Sequence, residues 1–273
     1  MTVAGPAFII PGTARPPFGS CFGWDGLNQM MTKTYWEHLE ELHWFGTEVP
    51  SVYADKEYIT DYSKGDHAQE GRHATNNGAI PGPSFFTSGA DAFYDFALTG
   101  DALNDMGTPG QFTAFIVGKF PNFNSMGIGP RTSSAANGWS ICRGGSPGRY
   151  TLEVFYASGA DPASVTINAD SDTGSVYEFL ACTFRFDATV QEGKLYRIKP
   201  GGVLQTSATM VLTEEVRSLS PIRIGRSIPS NYVAPSDIVG GGVLGKAFTG
   251  AEIETKRGLL QPFLASLPTP IVI

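Results

Sequence analysis

The residues with the most chemical potential are few and scattered. Retaining cleavage of a glycosidic bond needs two carboxylates about 5 Å apart on one face. On a strand that means alternation, and no E-x-D-x-x-E pattern occurs. Glu252 and Glu254 stand two apart, but in a helical pattern, where i and i+2 diverge. They read as surface charge. Of the histidines His38, His43, His67 and His73, the first pair is five apart on a helix-like segment, and neither pair has zinc-motif spacing. Asn168, Asp170 and Asp172 suggest the start of a calcium loop, yet Gly174 comes one place late and Phe179 stands where the closing Glu belongs. A solvated turn is the reading there. No G-x-S-x-G elbow occurs, and the run Gly240 to Gly242 opens a strand without phosphate-binding context. Cys21, Cys142 and Cys182 are odd in number and widely spaced, which fits buried free thiols; one disulfide stays open, a disulfide framework does not.

Binding chemistry remains. The loops RHATNNG, NFNSMGIGPRTSSAANGW and RSIPSNYV are rich in Asn, Ser and Arg. Trp139 and Tyr232 offer rings for stacking, and Arg131, Asn137 and Asn231 offer hydrogen bonds. This composition suits sugar or protein recognition. It also suits ordinary turns.

Such groups need elements to position them. Glycine (33) and proline (19) make up about a fifth of the 273 residues. That many helix breakers disfavours helical bundles and doubly wound α/β folds, and favours turns between short strands. Strands are expected at 112–120, 149–156, 164–168, 176–186, 194–198, 208–212, 221–225 and 243–248. Turn signals such as SPGR, DSDTG, KPGG and VGGG fall between them. In KLYRIKPGG, Leu195, Arg197 and Lys199 share one face, while Tyr196 and Ile198 share the other. One C-terminal helix is expected over 250–264, with Thr249 and Glu252 spaced as a capping box. The loop 121–138 is long and aperiodic, hence functional or mobile.

Residues 1–50 read as a separate arm and helix, ahead of a main domain at 51–273. Prolines keep the arm extended, and apolar spacing predicts a helix over 27–45. Phe8, Ile10, Phe18, Trp24, Trp36 and Trp44 are more apolar surface than a lone helix hides. They should pack on the main domain or on a partner. The net charge of −7 argues against nucleic-acid binding and against a polybasic membrane contact. No apolar stretch reaches membrane-spanning length, so no membrane insertion is expected, and the N-terminus shows no secretory signal pattern.

The order of pieces resembles the laminin-G-like, concanavalin A-like jelly rolls. KLYRIKPGG is similar to the strand ending in a "lyvnG" turn, and SPIRIGRS to the short "l-x-iG" strand. GGGVLGKAFTGAEIETKRGLLQPFL looks like the closing strand and short helix. Upstream, DYSKGDHAQEGRHATNNGAIPGPSFFTSGADAFYDFA resembles the family's opening loop. The likeness covers about 51–264. It implies an all-β antiparallel two-sheet sandwich, no cofactor, and at most a Ca²⁺ ion at loops around Asp91 and Asp95. Jelly-roll alginate lyases carry a "Y-F-K-A-G-x-Y-x-Q" strand. Tyr196, Lys199 and Gln205 echo it loosely, with spacing off by one and the second Tyr missing.

An aromatic arm plus one such jelly roll resembles tailed-phage virion proteins: tail fibres, receptor-binding proteins and head decoration proteins. The expectation is a non-enzymatic virion structural or adhesion protein, made in the host cytoplasm and exposed on the tail or capsid. It would be homo-oligomeric, held to other virion proteins through the arm, with a host surface glycan as a ligand. A polysaccharide lyase or depolymerase is the alternative from another class. A bacterial lectin-like domain is a third.

Overall fold

A computed structural model of the chain describes residues 39–44, 60–61, 75–78, 84–89, 91–105, 108–121, 123–131, 137–144, 148–168, 174–226, 234–265, 267 and 269–273. Two antiparallel sheets form its framework. The first contains β1 (Leu39–Trp44), β2 (Thr60–Asp61), β4 (Phe86–Thr87), β6 (Gln111–Lys119), β11 (Glu178–Phe186), β12 (Gln191–Ile198), β13 (Gln205–Thr206), β14 (Met210–Val211) and β16 (Asp237–Leu244). Its main path runs β13-β12-β11-β6-β16-β1-β2. The second contains β3 (Thr75–Asn77), β5 (Phe93–Thr99), β7 (Ser125–Gly129), β8 (Gly138–Gly144), β9 (Arg149–Phe155), β10 (Ala163–Asn168) and β15 (Pro221–Ile224). They lie in the order β10-β9-β8-β7-β15-β5-β3. Among the described residues two helices accompany the sheets, α1 (Gly100–Asp105) and α2 (Gly250–Ala265). The chain is an all-β, antiparallel two-sheet sandwich, as the turn-rich composition predicts.

Strand alternation divides the apolar side chains between two clusters. Phe112, Ala114 and Ile116 of β6 and Leu180, Cys182 and Phe184 of β11 point between the sheets, where they join Tyr150, Leu152 and Val154 of β9. Phe115 and Val117 of β6, and Phe179 and Ala181 of β11, point the other way. Ile253, Leu260 and Leu264 of α2 and Ile271 and Ile273 cover them. The first sheet is therefore buried on both faces. That is why FTAFIVGKF is a continuous apolar run rather than an alternation. Cys142 and Cys182 are free and buried, and burial pushes the Cys182 thiol up.

The alternation in β12 holds as read. Leu195 joins the inter-sheet cluster, while Tyr196 and Ile198 face α2. Arg197 consequently points between the sheets. It meets Glu178 there at 2.5 Å, both side chains fully buried. Gln205 Oε1 at 3.2 Å and the Asn168 carbonyl at 3.4 Å accept further bonds from the same guanidinium. Burial first, and then the charge of Glu178, push the neighbouring Tyr150 phenol well above its ordinary value.

The α2 capping box forms as predicted. The Thr249 backbone N–H donates to Glu252 Oε2 at 2.8 Å, and the Glu252 N–H donates to Thr249 Oγ1 at 3.3 Å. Lys246 Nζ lies 2.9 Å from Glu252 Oε1. Burial raises the Glu252 pKa, but Lys246 and the Thr249 bonds outweigh it and hold the carboxyl down at about 2. A folded-state pKa below the unfolded value of about 4.3 stabilises the fold above the unfolded value. That contribution fades as pH falls from there toward 2. Glu252→Gln is expected to cost about 1 kcal/mol at neutral pH and to flatten the loss of stability between pH 4.5 and 2.5. Urea unfolding of both proteins across that range checks it; parallel pH curves would contradict the assignment.

Several expectations need correction. Helix-like spacing predicts a helix through Phe45, but 39–44 is strand β1, paired antiparallel to β16 from Leu39↔Leu244 to Trp44↔Gly240. These residues complete the first sheet rather than a detached arm. The helix expected over 27–38 lies outside the described residues. The strand expected at 243–248 begins earlier, at Asp237, with Gly240 to Gly242 inside it. The strand expected at 208–212 shrinks to two residues. The stretch read as a long loop contains β7, and α1 was not expected. Gly174 has a φ of +82° where the chain enters β11. A Cβ there would stand 2.5 Å from Pro121 Cα and 2.7 Å from the Phe120 carbonyl oxygen. Only glycine meets both conditions.

Candidate binding face

The two outer faces of the sandwich differ. The first sheet's is covered by α2 and the C-terminal residues, and the second sheet adds no residue to that cluster. On the second sheet Tyr150, Leu152 and Val154 point inward, so Arg149, Thr151, Glu153 and Phe155 point out. Ile222 and Ile224 point inward and leave Arg223 outward; Tyr94 does the same for Phe93 and Asp95.

The registers align these outward residues across the sheet. Ser164 of β10 opposes Glu153 of β9, which opposes Ser140 of β8. Gly129 of β7 lies against Ser140, since a Cβ on it would stand 2.7 Å from Ser140 Cα. Gly129 opposes Arg223 of β15, which opposes Asp95 of β5, which opposes Thr75 of β3. A polar row crosses six strands from β10 to β5, with Ser140 and Gly129 in its middle.

An arginine–carboxylate pair with a phenylalanine flanks each side of that middle. Arg131, just after β7, reaches past β8 to Glu153 Oε2 at 2.9 Å, and its guanidinium lies 3.5 Å from the Phe155 ring centre. Arg223 grips both oxygens of Asp95, at 2.6 and 2.9 Å, and lies 4.1 Å from the Phe93 ring centre. Arg226 approaches the same ring at 5.2 Å. Ser164, Thr166 and Arg149 are exposed along the β9–β10 side. Guanidinium and carboxylate groups fixed on rings present fixed donors and acceptors to hydroxyl-rich ligands.

The predicted site residues divide. Arg131 belongs to this face, and Asn137 lies half-buried just before β8. Asn231 and Tyr232 fall outside the described residues. So do Phe8, Ile10, Phe18, Trp24 and Trp36; of Trp44 only the backbone pairing is described. Trp139 is a correction. It is 1% exposed and packs between the sheets, 5.6 Å from Phe112 and 5.9 Å from Phe184, centre to centre. Alternation along β8 turns it inward, and no ring face is left for a sugar. The calcium expectation meets a competing partner, because Arg223 occupies both Asp95 oxygens. Among the described residues no cluster of His, Cys, Asp and Glu could hold a metal. The lyase echo is not assembled: Tyr196 faces α2, while Gln205 bonds Arg197 from the other face. Sequence reasoning missed Phe93, Asp95, Glu153, Phe155, Arg223 and Arg226 as one face. The RYTLEVF alternation was the available signal for Glu153 and Phe155.

Fold and face together describe an antiparallel two-sheet β-sandwich, one outer face packed under α2 and the other polar. Solved structures share that fold. The binding domain of Paraclostridial Mosquitocidal Protein 1 matches with a TM-score of 0.56 and 10% identity, over 84% of this chain and 53% of that one. A botulinum neurotoxin type C structure, whose cell entry is described as dependent on two ganglioside molecules, matches at 0.54 and 13% identity, over 82% and 51%. A botulinum neurotoxin D ligand-binding domain in complex with N-acetylneuraminic acid matches at 0.52 and 15%, over 81% and 51%. At such identities the likeness is one of fold. The chain spans about half the length of these structures. No protein-family model and no curated protein sequence matches it.

Proposed function

We propose that the chain is a non-enzymatic adhesion protein that binds glycan through the outward face of its second sheet. The observation that carries this is the transverse polar row with its two ring-backed arginine–carboxylate pairs, on the face that α2 leaves uncovered. The sandwiches similar to it include domains described with ganglioside dependence and with bound N-acetylneuraminic acid, which supports the reading. The virion of a tailed phage is its proposed setting, on the resemblance of the motif order to virion jelly rolls. The arm would dock on neighbouring virion subunits, and homo-oligomers would multiply weak glycan contacts. Capsid or tail genes on either side of this one test that setting.

A glycan array with the full chain tests the binding. Arg131→Ala removes one ion pair and one ring contact at once. It is expected to weaken the best array ligand at least ten-fold, about 1.4 kcal/mol, with the melting temperature of the protein little changed. Silence across a broad array, or unaltered binding by Arg131→Ala, would refute the assignment of this face.

A further inference from the structure

Arg223 and Arg226 do not have matched partners. They share the Phe93 ring, at 4.1 and 5.2 Å from its centre. The carboxylate bonded there is Asp95, and Arg223 holds both its oxygens through Nε and Nη2. Arg223 Nη1 and Arg226 Nε are buried without a hydrogen-bond acceptor. Arg223 is itself 7% exposed, so its unused donor sits in an almost dry environment. A buried donor without an acceptor is unfavourable, more so when it carries charge. Two guanidiniums against one carboxylate also leave a local excess of one positive charge. The Arg131 end of the row differs, because one arginine there faces one carboxylate.

We infer that Arg223 and Arg226, held on Phe93, form an anion subsite that takes the carboxylate or sulfate of an acidic saccharide. This deepens the glycan-binding reading and rests on it. An anionic group admitted beside the Phe93 ring would supply the acceptor these donors lack and cancel the excess charge. The Arg223 guanidinium, fixed by the Phe93 ring and by Asp95, is already oriented, so little of its side-chain freedom is lost on binding. A neutral sugar would leave the excess charge in place.

The test compares lactose, sialyllactose and sulfated lactose by titration into the full chain at low salt. Both or one of the acidic sugars should bind at least ten-fold tighter than lactose, and the preference should shrink in 0.5 M NaCl. Sialyllactose against the sulfated sugar separates a carboxylate site from a sulfate site. Arg226→Gln should abolish the preference for the acidic sugars over lactose. Arg226 is half-buried and outside the Asp95 pair, so this variant should fold even if Arg223→Gln does not; melting curves check both. Equal affinity for all three sugars overturns the subsite, as does a preference that survives Arg226→Gln. Either result leaves the binding face standing where array ligands still bind. Silence on the whole array removes the face itself.

Discussion

Glu178→Gln is expected to lower stability by about 3–5 kcal/mol, the usual consequence of stripping one partner from a buried ion pair. Glu178 and Arg197 are fully buried between the sheets, with 2.5 Å between Oε1 and Nη2. Arg197 lies 5.2 Å from the Tyr150 ring centre, and its acceptors include Gln205 and the Asn168 carbonyl. Without the glutamate charge, a fully buried guanidinium loses the carboxylate held 2.5 Å from it. Pairing the change with Arg197→Met removes that charge as well and should restore more than half of the loss. Urea unfolding of the two single variants and the double variant measures the coupling. A loss under about 1 kcal/mol for Glu178→Gln, or strict additivity in the double variant, would show that the pair is solvated.

Trp139→Ala should cost a similar amount, about 3–5 kcal/mol, by opening a large cavity in the inter-sheet core. The indole packs with Phe112 and Phe184, which themselves meet at 4.7 Å. Trp139→Phe should cost much less. It keeps most of the apolar contact and removes an indole N–H that has no acceptor in the core. The two variants separate packing from recognition: at temperatures where Trp139→Phe is folded, its glycan binding should equal that of the unchanged protein. Selective loss of binding in a fully stable Trp139→Phe would place the ring in a ligand site after all.

The same residue shows what the sequence reveals and what it conceals. β6 and β11 were legible because a strand buried on both faces has no choice but apolar residues. β9 was legible by its alternation. β8 carries the same signal, with Trp139 and Ile141 inward and Ser140 and Cys142 outward. An Asn- and Ser-rich stretch before it suggested a loop, so a core tryptophan passed for a binding platform. β1 was misread because Leu39 and Leu42 are spaced as on a helix, while its partner in β16 is a run of glycines that advertises no pairing. Local propensity yielded there to long-range hydrogen bonding. The binding face was hidden for a related reason. Asp95 and Arg223 are 128 residues apart in sequence, and only the register of β5 on β15 joins them.

The pairing of β1 with β16 also sets an order of events during synthesis. Trp44 and its partner Gly240 leave the ribosome separated by about 200 residues of translation, roughly 10–40 s at ordinary elongation rates. Throughout that interval β1 has no β16 to pair with, and the edge of β16 is not yet made. When β16 emerges, it must recruit a strand that has waited through the folding of nearly everything between them. The nascent chain therefore carries a strand with one edge unpaired for most of its time on the ribosome, because β2 can take only the other edge, and a neighbouring copy on the same message offers a competing edge until the chain's own arrives.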